Sequence, residues 1–186
     1  MTTHAVQPLF STPVYQNQPH SKGATRRLVV AQALDQSPVE ALISELQAHA
    51  QPLQVLAIGG TGTASDALQV AASQAELVQM LHAALRSAPV GTRLYLCGDE
   101  AFIWQCREIA RHAGMLNEEI ELFCAGSRRQ LYCVHCSALQ DIADQTEVAC
   151  ANCGVNLLVR AHFSQRLGAY MGVCLDPNNV RGEVRP

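Results

Sequence analysis

Two cysteine pairs, Cys133-Val134-His135-Cys136 and Cys150-Ala151-Asn152-Cys153, separated by thirteen residues, constrain this chain more than any other feature. Each C-x-x-C sets two sulfurs on one tight turn. Two such turns facing each other supply four thiolates, a tetrahedral soft-ligand cage that favours zinc. Gly154 follows the second pair, at a place where the turn calls for a residue tolerant of positive φ. Zinc held by four thiolates has no open coordination position and no redox chemistry, so the site reads as structural. The same sulfur set can hold a single iron as an electron carrier. Iron of that kind usually sits between knuckles further apart, and the short gap and the absence of proline in the first pair favour zinc. Eight cysteines in 186 residues, with no secretory leader, read as reduced and cytoplasmic rather than as a disulfide framework.

Composition narrows the function classes. Apolar residues make up 48% of the chain, yet no apolar run approaches the roughly 18–20 residues of a membrane helix. Sixteen acidic against thirteen basic side chains give a net charge of −3, which argues against a nucleic-acid binder even though many zinc ribbons are one. Arg128, Arg129, Arg160 and Arg166 surround the cysteine pairs, but the chain's one lysine is Lys22.

The organisation is modular. Residues 1–25, rich in Thr, Gln, Pro and His, read as an extended arm whose Pro8-Leu9-Phe10 and Val14-Tyr15 are candidate docking elements. Residues 26–126 alternate between strand and helix patterns. Leu28-Val29-Val30-Ala31 is a buried-strand run, and Ser37-Pro38-Val39-Glu40 opens a helix to about residue 49 with Val39, Leu42, Ile43 and Leu46 on one face. Strands follow at 53–58, more briefly within 67–72, at 93–97 and at 120–124. Ser73 with Glu76 predicts a capping box before the stripe Leu77, Met80, Leu81, Ala84 and Leu85. Asp99 predicts the cap of a helix over 100–113 that Gly114 ends. Such alternation implies a parallel sheet covered on both faces by helices, a three-layer α/β domain. Ser127-Arg128-Arg129-Gln130 reads as a polar link into the metal module, 127–176, where Val155-Asn156-Leu157-Leu158-Val159 is a ribbon strand. Residues 177–186 read as a loose tail.

Two places in the α/β part are candidates for binding a nucleotide. Gly59, Gly60, Thr61 and Gly62 follow an apolar strand, where glycines allow close backbone approach to a phosphate. The run is neither G-x-G-x-x-G nor a P-loop, and a plain flexible connection explains it equally well. Cys97, Gly98 and Asp99 end another strand at the carboxyl edge of the sheet, where ligands of open α/β folds bind. A lone strand cysteine is more often a small buried hydrophobe, and Asp99 with Glu100 more often starts a helix. Cys106, Cys124 and Cys174 read as buried hydrophobes as well. His135, inside the first knuckle, points outward or donates to a sulfur, because four thiolates already satisfy the metal. No Ser/His/Asp or Cys/His constellation emerges.

Gly91-Thr92-Arg93-Leu94-Tyr95-Leu96-Cys97-Gly98, its following helix, Gly114 and the 120–123 strand resemble the end of the pyridine-nucleotide half of ferredoxin-reductase-type proteins, which also carry a Gly-Gly-x-Gly turn like Gly59–Gly62. That resemblance implies either NAD(P)H as a ligand of these residues or a nucleotide-binding fold kept only as an interaction platform. In one reductase type a cysteine-rich ferredoxin module follows directly, but the cysteine spacing here does not match a two-iron cluster. The reductases continue with Ile-Thr-Pro where this chain has Thr63-Ala64-Ser65, and no flavin motif or flavin barrel precedes.

Over residues 26–176, and most closely in His162-Phe163-Ser164-Gln165-Arg166-Leu167-Gly168-Ala169-Tyr170-Met171-Gly172-Val173, the chain is similar to the small subunit of bacterial dimethylamine monooxygenase. This resemblance implies a multisubunit enzyme that oxidatively demethylates dimethylamine with NAD(P)H and O2. It places haem on a separate catalytic subunit, and FMN and an iron–sulfur cluster on a reductase subunit. The competing expectation is a freestanding zinc-ribbon binding or regulatory module, and a third is the one-iron carrier.

Overall fold

The computed structural model describes residues 11–20, 23–35, 37–59 and 67–178, and the chain divides into two compact units, one spanning Tyr15–Ser127 and the other running from Arg128 together with the segment that ends at Val14. The larger unit is an open sheet of five parallel strands in the order β3-β2-β1-β4-β5. In chain order its elements are β1 (Arg26–Ala31), α1 (Ser37–Gln47), β2 (Leu53–Ala57), β3 (Leu68–Val70), α2 (Gln74–Arg86), β4 (Thr92–Gly98), α3 (Glu100–His112), a 3-10 turn (Asn117–Glu119) and β5 (Ile120–Cys124).

The period-two alternation of strand side chains sorts this sheet into two faces. Val29, Ala31, Val55, Ala57, Tyr95, Cys97 and Phe123 share one core with Val39, Leu42 and Leu46 of α1. Leu28, Val30, Leu56, Leu94, Leu96 and Leu122, equally buried, turn to the other face. There α2 packs on β2, and α3 on β4 and β5. The right-handed crossover rule explains the split. The connection from β1 to β2 runs one way along the sheet and those into β4 and β5 run the other, so their helices fall on opposite sides. Burying each of the three α1 side chains contributes roughly 1.5–3 kcal/mol.

Caps set the helix starts. Ser73 Oγ accepts the Glu76 N–H at 3.2 Å, and the Glu76 carboxylate accepts the Ala72 N–H at 2.7 Å, one residue before the position a strict capping box would use. Asp99 Oδ1 accepts the Phe102 N–H at 2.9 Å, and Gly114 follows α3 at φ 97°. The side chain of Ser37 lies outside the described residues.

Residues 15–20 are bonded to the α/β unit, which is why the larger unit begins ahead of the boundary expected at residue 26. The Gln16 N–H donates to Leu122 O at 2.8 Å, the Tyr95 hydroxyl to His20 O at 3.0 Å, and Trp104 Nε1 to the Tyr15 hydroxyl at 3.1 Å. Buried Glu121 accepts the His20 N–H at 2.8 Å and pairs with Arg93 at 3.3 Å. Burial first, then the Glu121 charge, raise the pKa of the Tyr95 phenol.

The second unit is a five-stranded sheet in the order β7-β6-β10-β9-β8, made of β6 (Arg129–Cys133), β7 (Leu139–Ile142), β8 (Glu147–Ala149), β9 (Asn156–Ser164) and β10 (Ala169–Cys174). Two antiparallel hairpins, β6–β7 and β8–β9, flank β10, which runs parallel to β6 and antiparallel to β9. Leu131, Leu157, Phe163 and Tyr170 fill its core, the last two edge to face at 5.0 Å between centroids, with the Arg129 guanidinium over the Tyr170 ring. The expected link at residues 127–130 therefore already contains the start of β6. The segment at 162–175, which shows no clear period, is the end of β9, a turn and β10. Gly172 lets β10 pack closely on its neighbours: a Cβ there would lie 3.0 Å from Leu157 and 3.1 Å from Leu131, so those side chains would have to give way. Among the described residues no helix is long and apolar enough to cross a membrane.

Candidate metal centre

Each cysteine pair caps one hairpin, and the two turns are built alike. In the first, the Cys133 N–H donates to Ala138 O at 2.9 Å and the Ser137 N–H returns to Cys133 O at 2.8 Å. In the second, the Cys150 N–H donates to Val155 O at 2.8 Å and the Gly154 N–H returns to Cys150 O at 2.9 Å. The residue after each second cysteine is left-handed, Ser137 at φ 63° and Gly154 at φ 71°. Among the described residues Ser137 is the one non-glycine with positive φ. Sequence reasoning identified the glycine and missed the serine.

The turns bring all four sulfurs of Cys133, Cys136, Cys150 and Cys153 within 4.8 Å of one another. Cys133 Sγ lies 3.9 Å from Cys153 Sγ, and Cys136 Sγ lies 3.6 Å from Cys150 Sγ. A disulfide needs about 2.05 Å, so these are not bonded pairs. A regular tetrahedron with metal–sulfur bonds of about 2.3 Å has edges of about 3.8 Å, which the observed spacings bracket. Those two spacings suit a tetrahedral sulfur-bound ion, and all four sulfurs lie within 4.8 Å of one another.

Electrostatics favour the same conclusion. Burial pushes the Cys133 thiol up to about 12, against the pull of the Cys136 and His135 N–H groups. The Asn152 side chain, then the Ala138 N–H, hold Cys136 down to about 6. Four thiols this close do not all ionise without a cation between them, and a bound metal deprotonates its thiol ligands outright. His135 contributes its backbone N–H and its side chain is exposed, so its imidazole is not needed as a ligand.

Two hydrogen bonds from Gln140 on β7 hold the second turn. Its Nε2 donates to Ala149 O at 3.2 Å and its Oε1 accepts the Ala151 N–H at 2.8 Å, on either side of Cys150. Strands β7 and β8 are opposite edges of the sheet, so this amide draws the edges together beside the sulfurs. No sequence signal singles out Gln140, since its partners lie nine and eleven residues away across a turn.

The expected nucleotide residues are placed differently. Gly59 lies two residues beyond β2, and its carbonyl accepts the Leu34 N–H at 3.0 Å; Gly60, Thr61 and Gly62 lie outside the described residues. Cys97 is fully buried in the α1-side core, and burial pushes its thiol up to about 12. Gly98 ends β4, and Asp99 caps α3 while bonding to Gln32. The ends of β2 and β4 are separated by β1. Cys106 is buried with its thiol likewise raised to about 12, and Cys124 is raised to about 11 by burial and then by Glu100 and Asp99.

A five-stranded parallel α/β unit accompanied by a zinc-ribbon-like module with four clustered cysteines defines the class of this protein. Two family models cover it: the N-terminal domain of dimethylamine monooxygenase subunit DmmA-like proteins matches residues 7–120, and the C-terminal domain of the same family matches residues 130–173. The heme-dependent oxidative N-demethylase delta subunit of Ectopseudomonas mendocina is 37% identical over 187 residues, covering 100% of both chains. The chain belongs to the dimethylamine monooxygenase subunit DmmA-like family. Among solved structures, phthalate dioxygenase reductase, a modular protein for electron transfer from pyridine nucleotides to [2Fe–2S], is similar with a TM-score of 0.47 and 14% identity over 69% of this chain. This chain spans only 47% of that reductase, and nothing about a site or partner follows from the likeness.

Proposed function

We propose that Cys133, Cys136, Cys150 and Cys153 hold one zinc ion in a structural role, and that the chain is a small accessory subunit of a multisubunit NAD(P)H-dependent monooxygenase converting dimethylamine to methylamine and formaldehyde. The observation that carries this reading is the end-to-end likeness to a subunit of a heme-dependent oxidative N-demethylase. In such a reaction one atom of O2 leaves in formaldehyde and the other in water, with two electrons from NAD(P)H. The sulfur quartet supports a non-catalytic part for this chain, because a zinc with four thiolates has no position left for oxygen or substrate. Oxygen chemistry then belongs to a haem-containing catalytic subunit, and electron delivery to a reductase subunit carrying FMN and an iron–sulfur cluster. The net charge of −3 supports protein rather than nucleic-acid partners.

Native mass spectrometry of the complex purified from its source, with metal and cofactor analysis, tests the whole reading. The expected result is one zinc per copy of this chain, haem and flavin on copurifying chains, and formaldehyde released from dimethylamine when NAD(P)H and O2 are supplied. A chain that purifies alone, without such partners, returns the reading to a freestanding zinc ribbon. A red-brown chain with thiolate-to-iron absorbance replaces zinc by iron.

A further inference from the structure

An open parallel sheet has one crevice by construction, at the carboxyl end between the two strands where the strand order reverses. Here those strands are β1 and β4. A dinucleotide seated in such a crevice needs glycines in the loop after the first strand, free N–H groups, and a helix start bare of negative charge. The loop after β1 instead reads Gln32-Ala33-Leu34-Asp35.

Gln32 occupies the space. Its main-chain N–H is spent on Cys97 O at 2.9 Å. Its side-chain Oε1 accepts the Asp99 N–H at 2.9 Å, and its Nε2 donates to Asp99 Oδ2 at 2.8 Å. The other carboxylate oxygen of Asp99 caps the Phe102 N–H. The Phe102 N–H at the start of α3 is therefore already taken by a carboxylate, and Glu100 adds a second acidic side chain in the first turn. An incoming phosphate would meet these two carboxylates on the β4 side of the crevice.

The walls leave little room. A Cβ on Gly98 would lie 2.6 Å from the Phe102 ring, 2.8 Å from Gln32 Oε1 and 2.9 Å from Gln32 Cβ. From the loop after β5, Gly126 approaches Asp99 so closely that a Cβ there would stand 3.2 Å from Asp99 Cβ. Gly59 lies two residues beyond β2, the strand on the other side of β1 from β4, and its carbonyl accepts the Leu34 N–H of the loop after β1, so that amide too is spent.

We infer that Gln32 and Asp99 form a clasp that closes the β1–β4 crevice, so that the α/β unit keeps the architecture of a dinucleotide-binding sheet but serves as a scaffold and does not bind NADH or NADPH. Resting on the function proposed above, the inference assigns hydride uptake from NAD(P)H to another subunit of the complex.

Calorimetric titration of the full zinc-loaded chain with NADH, NADPH and inorganic pyrophosphate is the first test. No saturable binding is expected up to about 1 mM, a free energy of only about −4 kcal/mol. Saturable binding of either nucleotide below that concentration overturns the inference. Hydrogen exchange tests the clasp itself. In Gln32→Ala the Asp99 amide should exchange at least tenfold faster while the amides of β1 and β4 stay protected, and unchanged Asp99 exchange overturns it. Should that variant fail to fold, Gln32→Glu serves instead. It sets a second carboxylate against Asp99, so its melting temperature should fall further below the parent's as pH rises from 4 to 7. A pH-independent difference refutes the contact. None of these readouts depends on the metal or on copurifying chains, so failure here is distinct from failure of the proposed complex.

Discussion

Ser137 and Gly154 hold the same place in two turns that the chain builds twice, yet only one of them is a glycine. A side chain in the left-handed region costs on the order of 1–2 kcal/mol, whereas glycine avoids that strain but gives up roughly 0.5–1 kcal/mol of unfolded-state entropy. The two positions should therefore respond with opposite signs. Ser137→Gly is expected to stabilise the metal-loaded chain by about 0.5 kcal/mol, and Gly154→Ala to destabilise it by about 1 kcal/mol, read as shifts in the denaturant midpoint at unchanged slope. Equal signs would mean that the turns are not equivalent. The cysteine quartet was legible in the sequence because each C-x-x-C is a local device whose geometry needs no distant partner. Ser137 was not, since a serine declares no backbone conformation. Gln32 was hidden for a different reason: its partner Asp99 lies 67 residues away, brought close only by the strand order.

The parallel strands were legible because they are buried on both faces and so appear as continuous apolar runs, as in Leu94-Tyr95-Leu96-Cys97. The ribbon strands were mostly not. In β6 only Leu131 and Cys133 are buried, so its opening Arg129-Gln130 reads as linker. In β9 and β10 a register shift between Tyr170 and Gly172 breaks the alternation on which strand recognition depends. What these short strands lack in propensity they recover by being tied at the cysteine turns, and Gln140 is part of that tie. Its two hydrogen bonds fix the backbone on either side of Cys150. Outer contacts that orient ligands typically account for 10–100-fold in metal affinity. Gln140→Ala should leave one metal per chain but release it at least tenfold faster to a chelator, followed by a zinc-sensitive dye. A release rate within twofold of the parent would show that the sulfurs alone set the knuckle spacing.

The two units bury separate cores, one built from both faces of the parallel sheet, the other from Leu131, Val155, Leu157, Phe163 and Tyr170 beneath the knuckles. Their sources of stability differ accordingly. The α/β unit has three amphipathic helices and five strands to hide apolar surface, enough to fold without a cross-link. The ribbon has no helix among its described residues and strands of three to nine residues, so its core is small. Small modules of this kind take much of their folding free energy from the metal, on the order of 10–16 kcal/mol for zinc-finger peptides at neutral pH. Chelation, or Cys133→Ser, should therefore unfold one unit and spare the other. In limited proteolysis the zinc-loaded chain should resist cleavage in both, while the stripped or substituted chain should be cut first between residues 129 and 174, leaving a resistant fragment that contains β1 to β5. Loss of protection in both units together would make the metal a support for the entire chain. Unchanged protection in both would mean that the ribbon stands without an ion, and that its sulfurs have been assigned the wrong task.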